Sequence, residues 1–320
     1  MTTTRSTRRT RLGDSDLSVF PLSLGGNVFG WSSDKDESFA VLDAYAAAGG
    51  NFVDTADMYS HWVPGHTGGE SETVLGSWIA DRGNRDDIVV ATKVGAHPQY
   101  KGLKAETIAA ATEESLRRLG TDRIDLLYTH FDDESTPVEE IITALDELVR
   151  AGKVRHIAAS NISPARLRAS VEFSRSAGLA SYVVLQPHYN LVSRDTYEGE
   201  LEATAAEFGL SSVPYFALAS GVLSGKYRQN GPAVDSVRAD GAVKHLATDR
   251  GPKVLAALDS VAAAHDTAVA TVALAWLAAQ PTVAAPIASA RTVEQLPALV
   301  AVADLELTAS ELALLDAASA

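Results

Sequence analysis

Short apolar runs alternate along this chain with longer stretches in which apolar residues recur three or four positions apart. The first kind reads as strands over 22–26, 52–53, 88–94, 124–130, 155–160, 182–186, 211–218 and 283–288,. The second reads as helices over 36–48, 70–81, 105–119, 138–151, 164–177, 197–208, 254–265, 269–280, 293–302 and 308–317,. Punctuation supports the boundaries. Gly49-Gly50 and Gly152 stop helices, Pro137 and Pro164 open them, and Thr308 with Glu311 makes a capping box,. Residues 11–13 and 17–19 flank Asp14-Ser15-Asp16 and predict a small hairpin that closes one end of the fold,.

Strands alternating with helices imply parallel pairing with right-handed crossovers. Eight such units predict an α/β fold of the (β/α)8 TIM-barrel type with an N-terminal β-hairpin and extra helices. A doubly wound open sheet is the alternative, and it calls for Gly-x-Gly-x-x-Gly after the first strand. Gly25-Gly26-Asn27-Val28-Phe29-Gly30 has its glycines in another pattern, and the segment from Gly221 to Lys226 is one residue short of a phosphate-binding P-loop,. No linker divides the chain, so residues 1–10 are expected to be a disordered tail and 11–320 a single barrel domain. The polar, glycine-containing stretch from Tyr227 to Pro252 is expected to be a loop, acting as a flap,.

Composition narrows the function. The chain has 320 residues, 46% hydrophobic and 21% charged, an ordinary globular balance,. A formal net charge of -14 argues against nucleic acid or an anionic membrane as partner,. Cysteine is absent, which excludes disulfides and thiolate metal sites, and there is no His-Glu-x-x-His,. No metal is expected. No apolar run is long enough to span a bilayer, and the only basic cluster, Arg5, Arg8, Arg9 and Arg11, lacks an apolar face,. A cytoplasmic protein acting on a small molecule is the resulting expectation, a monomer by default with an oligomer left open.

Candidate chemistry collects at strand ends, where parallel barrels place it. The second strand leads into Asp54, Asp57 and Tyr59, the third carries Lys93 near its end, and the fourth ends on His130. A nearby ammonium stabilises tyrosinate, so Lys93 is expected to lower the Tyr59 pKa, with Asp54 holding Lys93 charged. His130 has the chemistry to donate to a carbonyl oxygen. Together these groups would protonate a carbonyl while hydride comes from elsewhere. No side chain donates hydride, so a nicotinamide cofactor is implied.

Asp54, Tyr59, Lys93 and His130, set in Val-Asp-Thr-Ala-Asp-Met-Tyr, Ala-Thr-Lys and Tyr-Thr-His, resemble the catalytic tetrad of the aldo-keto reductases. The resemblance extends over almost the whole chain and is nearest to the bacterial branch related to potassium-channel β subunits. It implies NADPH-dependent reduction of aldehydes or ketones, with Tyr59 as general acid tuned by Lys93. It also implies NADPH lying extended across the strand ends. Ser160, Asn161 and Gln186 would hold the carboxamide, and Tyr215 would stack on the nicotinamide. Phe216, Ala217, Leu218, Ser220, Gly221 and Lys226 would meet the pyrophosphate. Ser289, Arg291 and Gln295 would meet the adenosine end, with Arg291 at the 2′-phosphate, for which an arginine fork is suited. Gly25, Gly26, Asn27 and Asp54 complete the expected cofactor contacts.

The chain departs from the family pattern in places. Gly25-Gly26 stands for Gly-Thr, Ser289 for Gly, and Leu299 for Asn, with Pro297 between. Trp31, Trp62 and Phe131, on loops after the first, second and fourth strands, are expected to form an apolar substrate wall beside Tyr59 and His130. His156 reads as structural, and His188 as a neighbour of the site. Asp132-Asp133-Glu134, the best candidate acids for a cofactor-free hydrolase, read as a solvated loop. A cofactor-bound regulatory subunit with little turnover is the other alternative, as the channel relatives suggest.

Overall fold

The computed structural model describes residues 6–228 and 239–320. Its barrel strands are apolar on both faces, because one face lines the interior and the other meets helices. They are β1 (Ser23–Gly25), β2 (Phe52–Asp54), β3 (Val89–Val94), β4 (Ile124–Thr129), β5 (Val154–Ser160), β6 (Tyr182–Gln186), β7 (Ser211–Ser212) and β8 (Ile287–Ala288). Consecutive strands pair in parallel, and β8 pairs back with β1. The ring closes between β7 and β8, where Ser212 bridges Val283 and the Ile287 N–H donates to the Pro214 carbonyl at 2.9 Å. The result is a (β/α)8 barrel.

The helices are α1 (Lys35–Ala47), α2 (Glu70–Arg82), α3 (Ala105–Leu119), α4 (Val138–Arg150), α5 (Pro164–Ala177), α6 (Glu200–Phe208), α7 (Ala239–Leu246), α8 (Arg250–Ala264), α9 (Val269–Ala278), α10 (Pro297–Val300) and α11 (Ala309–Ser319). In α4 the buried residues Val138, Ile141, Ile142, Leu145 and Leu148 follow the helical repeat and face the sheet,. Asp34 with Glu37 and Thr308 with Glu311 form capping boxes on α1 and α11, and Ser163 caps α5 ahead of Pro164.

The barrel interior is a separate apolar cluster. Leu12, Leu17 and Val19 of the hairpin (Thr10–Arg11 with Ser18–Val19) pack there against Phe52, Val89, Ala91, Leu126 and Val184. The hairpin thus plugs the N-terminal end of the barrel and leaves the opposite mouth for chemistry. Gly13 makes this docking close. Its φ is +50°, and a Cβ there would lie 2.2 Å from the Val183 carbonyl oxygen,.

Several boundaries differ from the sequence expectation for physical reasons. β7 is two residues long rather than 211–218, since Pro214 has no N–H for a ladder and Phe216 sits at positive φ,. β8 is likewise shortened around Pro286,. Gly199, at φ +103°, delays α6 to Glu200. The helix expected over 293–302 breaks into the 3₁₀ turn Val293–Gln295, then α10 beginning at Pro297, then a second turn Ala301–Ala303. A hairpin, Ala96–His97 with Tyr100–Lys101, follows β3 unannounced by any pattern.

The expected 227–252 loop contains α7 and the start of α8, while residues 229–238 lie outside the described residues. Gly241 of α7 packs on the turn Ala219–Ser224, where a Cβ would come 3.3 Å from Ser220 Oγ. Of the expected tail, residues 1–5 lie outside the described residues. Ser6 N–H donates to the Ala48 carbonyl, Arg8 reaches the Ala303 carbonyl, and Thr10 is already in the hairpin. Among the described residues no single helix is long and apolar enough to cross a membrane.

Candidate active site

Strand alternation selects which polar residues enter the barrel mouth. In β3, Val89 and Ala91 face the interior cluster, so Lys93, two residues further on, faces the same way,. In β2, Phe52 faces inward and Asp54 follows it. The Lys93 ammonium and the Asp54 carboxylate therefore meet. Lys93 Nζ lies 2.6 Å from Asp54 Oδ2, with side chains 1% and 3% exposed. Nζ also donates to the Thr55 carbonyl and to Tyr59 Oη, each at 2.9 Å. The Tyr59 hydroxyl lies 3.5 Å from Asp54 Oδ2, the outer limit of a hydrogen bond, so its proton is weakly engaged,. His130 follows β4 directly, with its ring centroid 6.1 Å from that of Tyr59 and its Nδ1 buried without a partner among the described residues.

The electrostatics follow from burial and from this chain of contacts. Burial acts to lower the Lys93 pKa, but Asp54 and then Tyr59 outweigh it and the net direction is upward, so the ammonium stays charged,. Burial raises the Tyr59 pKa by more than Lys93 lowers it. The sequence expectation of a lowered Tyr59 pKa is thus reversed, and Tyr59 holds its proton. Burial, then Lys93, holds His130 well below the ordinary histidine range, so its imidazole is neutral.

A ring of hydrogen bonds ties the strand ends together. Gln186, ending β6, donates from Nε2 to Asp54 Oδ1 at 2.9 Å. Ser160, ending β5, donates to the Gln186 carbonyl. Asn161, at φ +49°, donates to the His130 carbonyl and to Ser160 Oγ, and its Oδ1 accepts from the Tyr215 hydroxyl at 2.8 Å. His188 stacks behind Tyr215 with centroids 5.4 Å apart. By count, Gln186 keeps one further N–H and Asn161 Oδ1 one further lone pair.

Beneath the site lies a second charged group that the sequence pattern did not announce. Glu72 of α2 is fully buried and accepts from Thr92 Oγ1 of β3 at 2.5 Å and from Arg118 Nε of α3 at 2.6 Å. Beside it Asp57 is fully buried, with neither carboxylate oxygen partnered among the described residues. Burial first, then Glu72, pushes the Asp57 pKa up to about 8. Asp57 stands two residues before Tyr59 in the loop that carries it.

Above the tetrad opens a cavity of about 590 Å³, within the range of small-molecule sites,. Asp54, Tyr59, Trp62, His130 and Phe131 line it, as do Gly25, Asn27, Ser160, Asn161 and Gln186. So do Tyr215, Phe216, Ala217, Leu218, Ser220, Gly221, Lys226, Ser289, Arg291 and Gln295. Three residues named from the sequence do not. Lys93 lies below Tyr59; Gly26 is occupied in donating to the Asp54 carbonyl; and Trp31 packs edge-on against Trp62 at 5.3 Å. Val28, Ser32, Ala268 and Ala270 line the cavity without any motif to mark them, and Met58 and Ser224 line it from within segments already singled out for other residues. Leu299 lines it where the family pattern has Asn.

The far wall fits an extended, phosphate-bearing ligand. Phe216, Ala219 and Ser220 hold φ of +54°, +45° and +57°, a strained run beside the cavity,. Gly221, at φ +94°, leaves room for Lys226, whose Cε would lie 2.9 Å from a Cβ there. Arg291 presents a second cation, its backbone N–H held by Gln295 Oε1 at 3.0 Å. Of the acids expected to form a solvated loop, Glu134 is exposed, whereas Asp132 and Asp133 are partly buried and structural. Asp132 pairs with Arg166 at 2.8 Å, and Asp133 accepts from Ser135, Thr136 and the Leu103 N–H. His156 bonds Asp16 of the hairpin at 2.6 Å, at the opposite end of the barrel from the mouth. No cluster of three or more acidic or histidine side chains suited to a metal ion occurs among the described residues.

Comparison with known proteins agrees with this geometry. The model of the aldo/keto reductase family matches residues 21–320. Norsolorinic acid reductase stcV of Emericella nidulans is 34% identical over 315 residues, covering 92% of this chain and 77% of that protein. A probable voltage-gated potassium channel subunit beta of Oryza sativa subsp. japonica is 34% identical over 294 residues, covering 89% and 88%. The probable aryl-alcohol dehydrogenase AAD4 of Saccharomyces cerevisiae is 30% identical over 302 residues, with the same coverage of 89% and 88%. The chain, an oxidoreductase by this kinship, belongs to the aldo/keto reductase family.

Proposed function

We propose that this chain reduces an aldehyde or ketone to the alcohol using NADPH, with Tyr59 as the general acid. The observation that supports it most is the buried chain Asp54–Lys93–Tyr59, which ends in a protonated hydroxyl facing a cavity. When bound, NADPH supplies the hydride. Tyr59 Oη gives its proton to the carbonyl oxygen as charge develops there, and Lys93 stabilises the tyrosinate that remains. Asp54 keeps Lys93 charged and aimed. His130, neutral, offers its single N–H to the same oxygen and orients the carbonyl.

In this reading the further N–H of Gln186 and the lone pair of Asn161, with Ser160, take the carboxamide of the nicotinamide, and Tyr215 stacks on its ring. Gly25 and Asn27 adjoin it. The backbone from Phe216 to Leu218, with Ser220, Gly221 and Lys226, takes the pyrophosphate. Ser289, Arg291 and Gln295 take the adenosine end, and the Arg291 fork suits a 2′-phosphate. The test is to mix purified protein with NADPH and a panel of aldehydes and ketones and to follow NADPH absorbance. Carbonyl-dependent oxidation supports the reading. A second reading, a cofactor-bound regulatory subunit, draws on the name of the rice relative. NADPH binding without reduction of any carbonyl would favour it.

A further inference from the structure

We infer that the substrate is a neutral, planar aromatic carbonyl compound whose ring lies between Trp62 and Phe131; this rests on the reductase reading above. Large apolar side chains exposed at a cavity mouth are informative, whereas scattered ones are not. Among the described residues only six large hydrophobic side chains are exposed, and three of them, Trp62 at 41%, Phe131 at 51% and Phe216 at 48%, line this one cavity.

Two of the three flank the proton donor. Trp62 follows β2 and is held edge-on by Trp31 at 5.3 Å and by Tyr59 at 6.2 Å. Phe131 follows β4 and lies flat on His130, with centroids 4.8 Å apart and planes 14° apart. Neighbouring rings thus fix both side chains in orientation, so little side-chain freedom is lost when a ligand ring joins them. An aromatic ring seated there gains offset or edge-to-face contacts that an aliphatic chain does not.

Charge completes the selection. Asp54, Lys226 and Arg291 are the only ionised side chains among the described lining residues. Asp54 is already paired with Lys93, and the two cations stand on the wall proposed for the cofactor phosphates. Met58, Tyr59, Trp62, His130 and Phe131 offer a carboxylate or phosphate substituent no counter-charge. They also offer a sugar few hydroxyl partners.

The test uses the full-length protein, wild type and the Trp62→Ala and Phe131→Ala variants, both at exposed positions. Equilibrium binding of naphthalenemethanol is measured by titration calorimetry with and without NADPH. In parallel, kcat/KM is measured for naphthaldehyde, benzaldehyde, para-carboxybenzaldehyde, hexanal and an aldose. The expected result is that naphthaldehyde leads the panel and para-carboxybenzaldehyde falls below benzaldehyde. Each variant is expected to weaken naphthalenemethanol binding and to lower the naphthaldehyde-to-hexanal ratio by about 2- to 12-fold. A preference for hexanal, the aldose or the carboxylate, or variants that bind naphthalenemethanol as tightly as wild type, would overturn the inference while leaving the reductase reading intact. Binding that depends on Trp62 and Phe131, with no carbonyl reduced, would support the aromatic site and overturn the reductase reading instead.

Discussion

The Lys93–Asp54 pair is the part of the site whose energetics can be worked from geometry alone. Its charges stand 2.6 Å apart with both side chains almost wholly buried. Removing one partner from a buried pair strands the other and costs about 3–5 kcal/mol. Lys93→Met would leave Asp54 with Gln186 at 2.9 Å and Tyr59 at 3.5 Å, neither of them a cation. Asp54→Asn would leave the ammonium with the Thr55 carbonyl and the Tyr59 hydroxyl. Each single variant should therefore lose about 3–5 kcal/mol of stability, read as a drop in the urea midpoint at unchanged slope. The double variant replaces the ion pair by neutral groups of similar volume, and such exchanges are often close to neutral. Its loss should fall short of the sum of the singles by about 2 kcal/mol or more. Additivity to within about 0.5 kcal/mol would refute a coupled buried pair, since that is how independent sites behave.

Two further predictions concern Asp57 and Arg291. The Asp57 pKa is about 8 in the folded chain against about 3.9 unfolded, so the folded state binds the extra proton between those values. The stability this gives is complete below the lower value and is lost as pH rises through the upper one. Asp57→Asn should remove a slope of up to about 1.4 kcal/mol per pH unit, measured as urea midpoints between about pH 5 and 8; parallel pH profiles for variant and parent would count against it. Arg291→Ala should weaken NADPH binding by about tenfold or more and NADH binding much less, because only the former carries the 2′-phosphate; equal losses would remove Arg291 from that role.

Much of the fold is visible in the hydrophobic pattern, because strands buried on both faces leave unbroken apolar runs. Lys93 interrupts such a run, and the inward parity it shares with Val89 and Ala91 places it in the barrel mouth. Pro214, Pro286 and Pro297 shorten elements that periodicity extends, since a missing N–H ends a ladder or breaks a helix without changing hydrophobicity. The Glu72–Arg118 pair spans 46 positions and Thr92–Glu72 spans 20, and no local spacing encodes either contact. The direction of the Tyr59 shift is not legible in the sequence for a related reason. Sequence names the charged neighbour but not the depth of burial, and burial wins. Trp62 and Phe131 reach the cavity as the loop positions implied, whereas Trp31 serves as the backing of Trp62.

The most direct measurement is single-turnover hydride transfer in Tyr59→Phe preloaded with NADPH, alongside the NADPH dissociation constant of the same variant. A buried phenol that acts as the acid predicts a rate lower by about 100-fold or more, with cofactor affinity within a few-fold of the parent. A hydride-transfer rate equal to that of the parent would contradict the assignment of the proton donor.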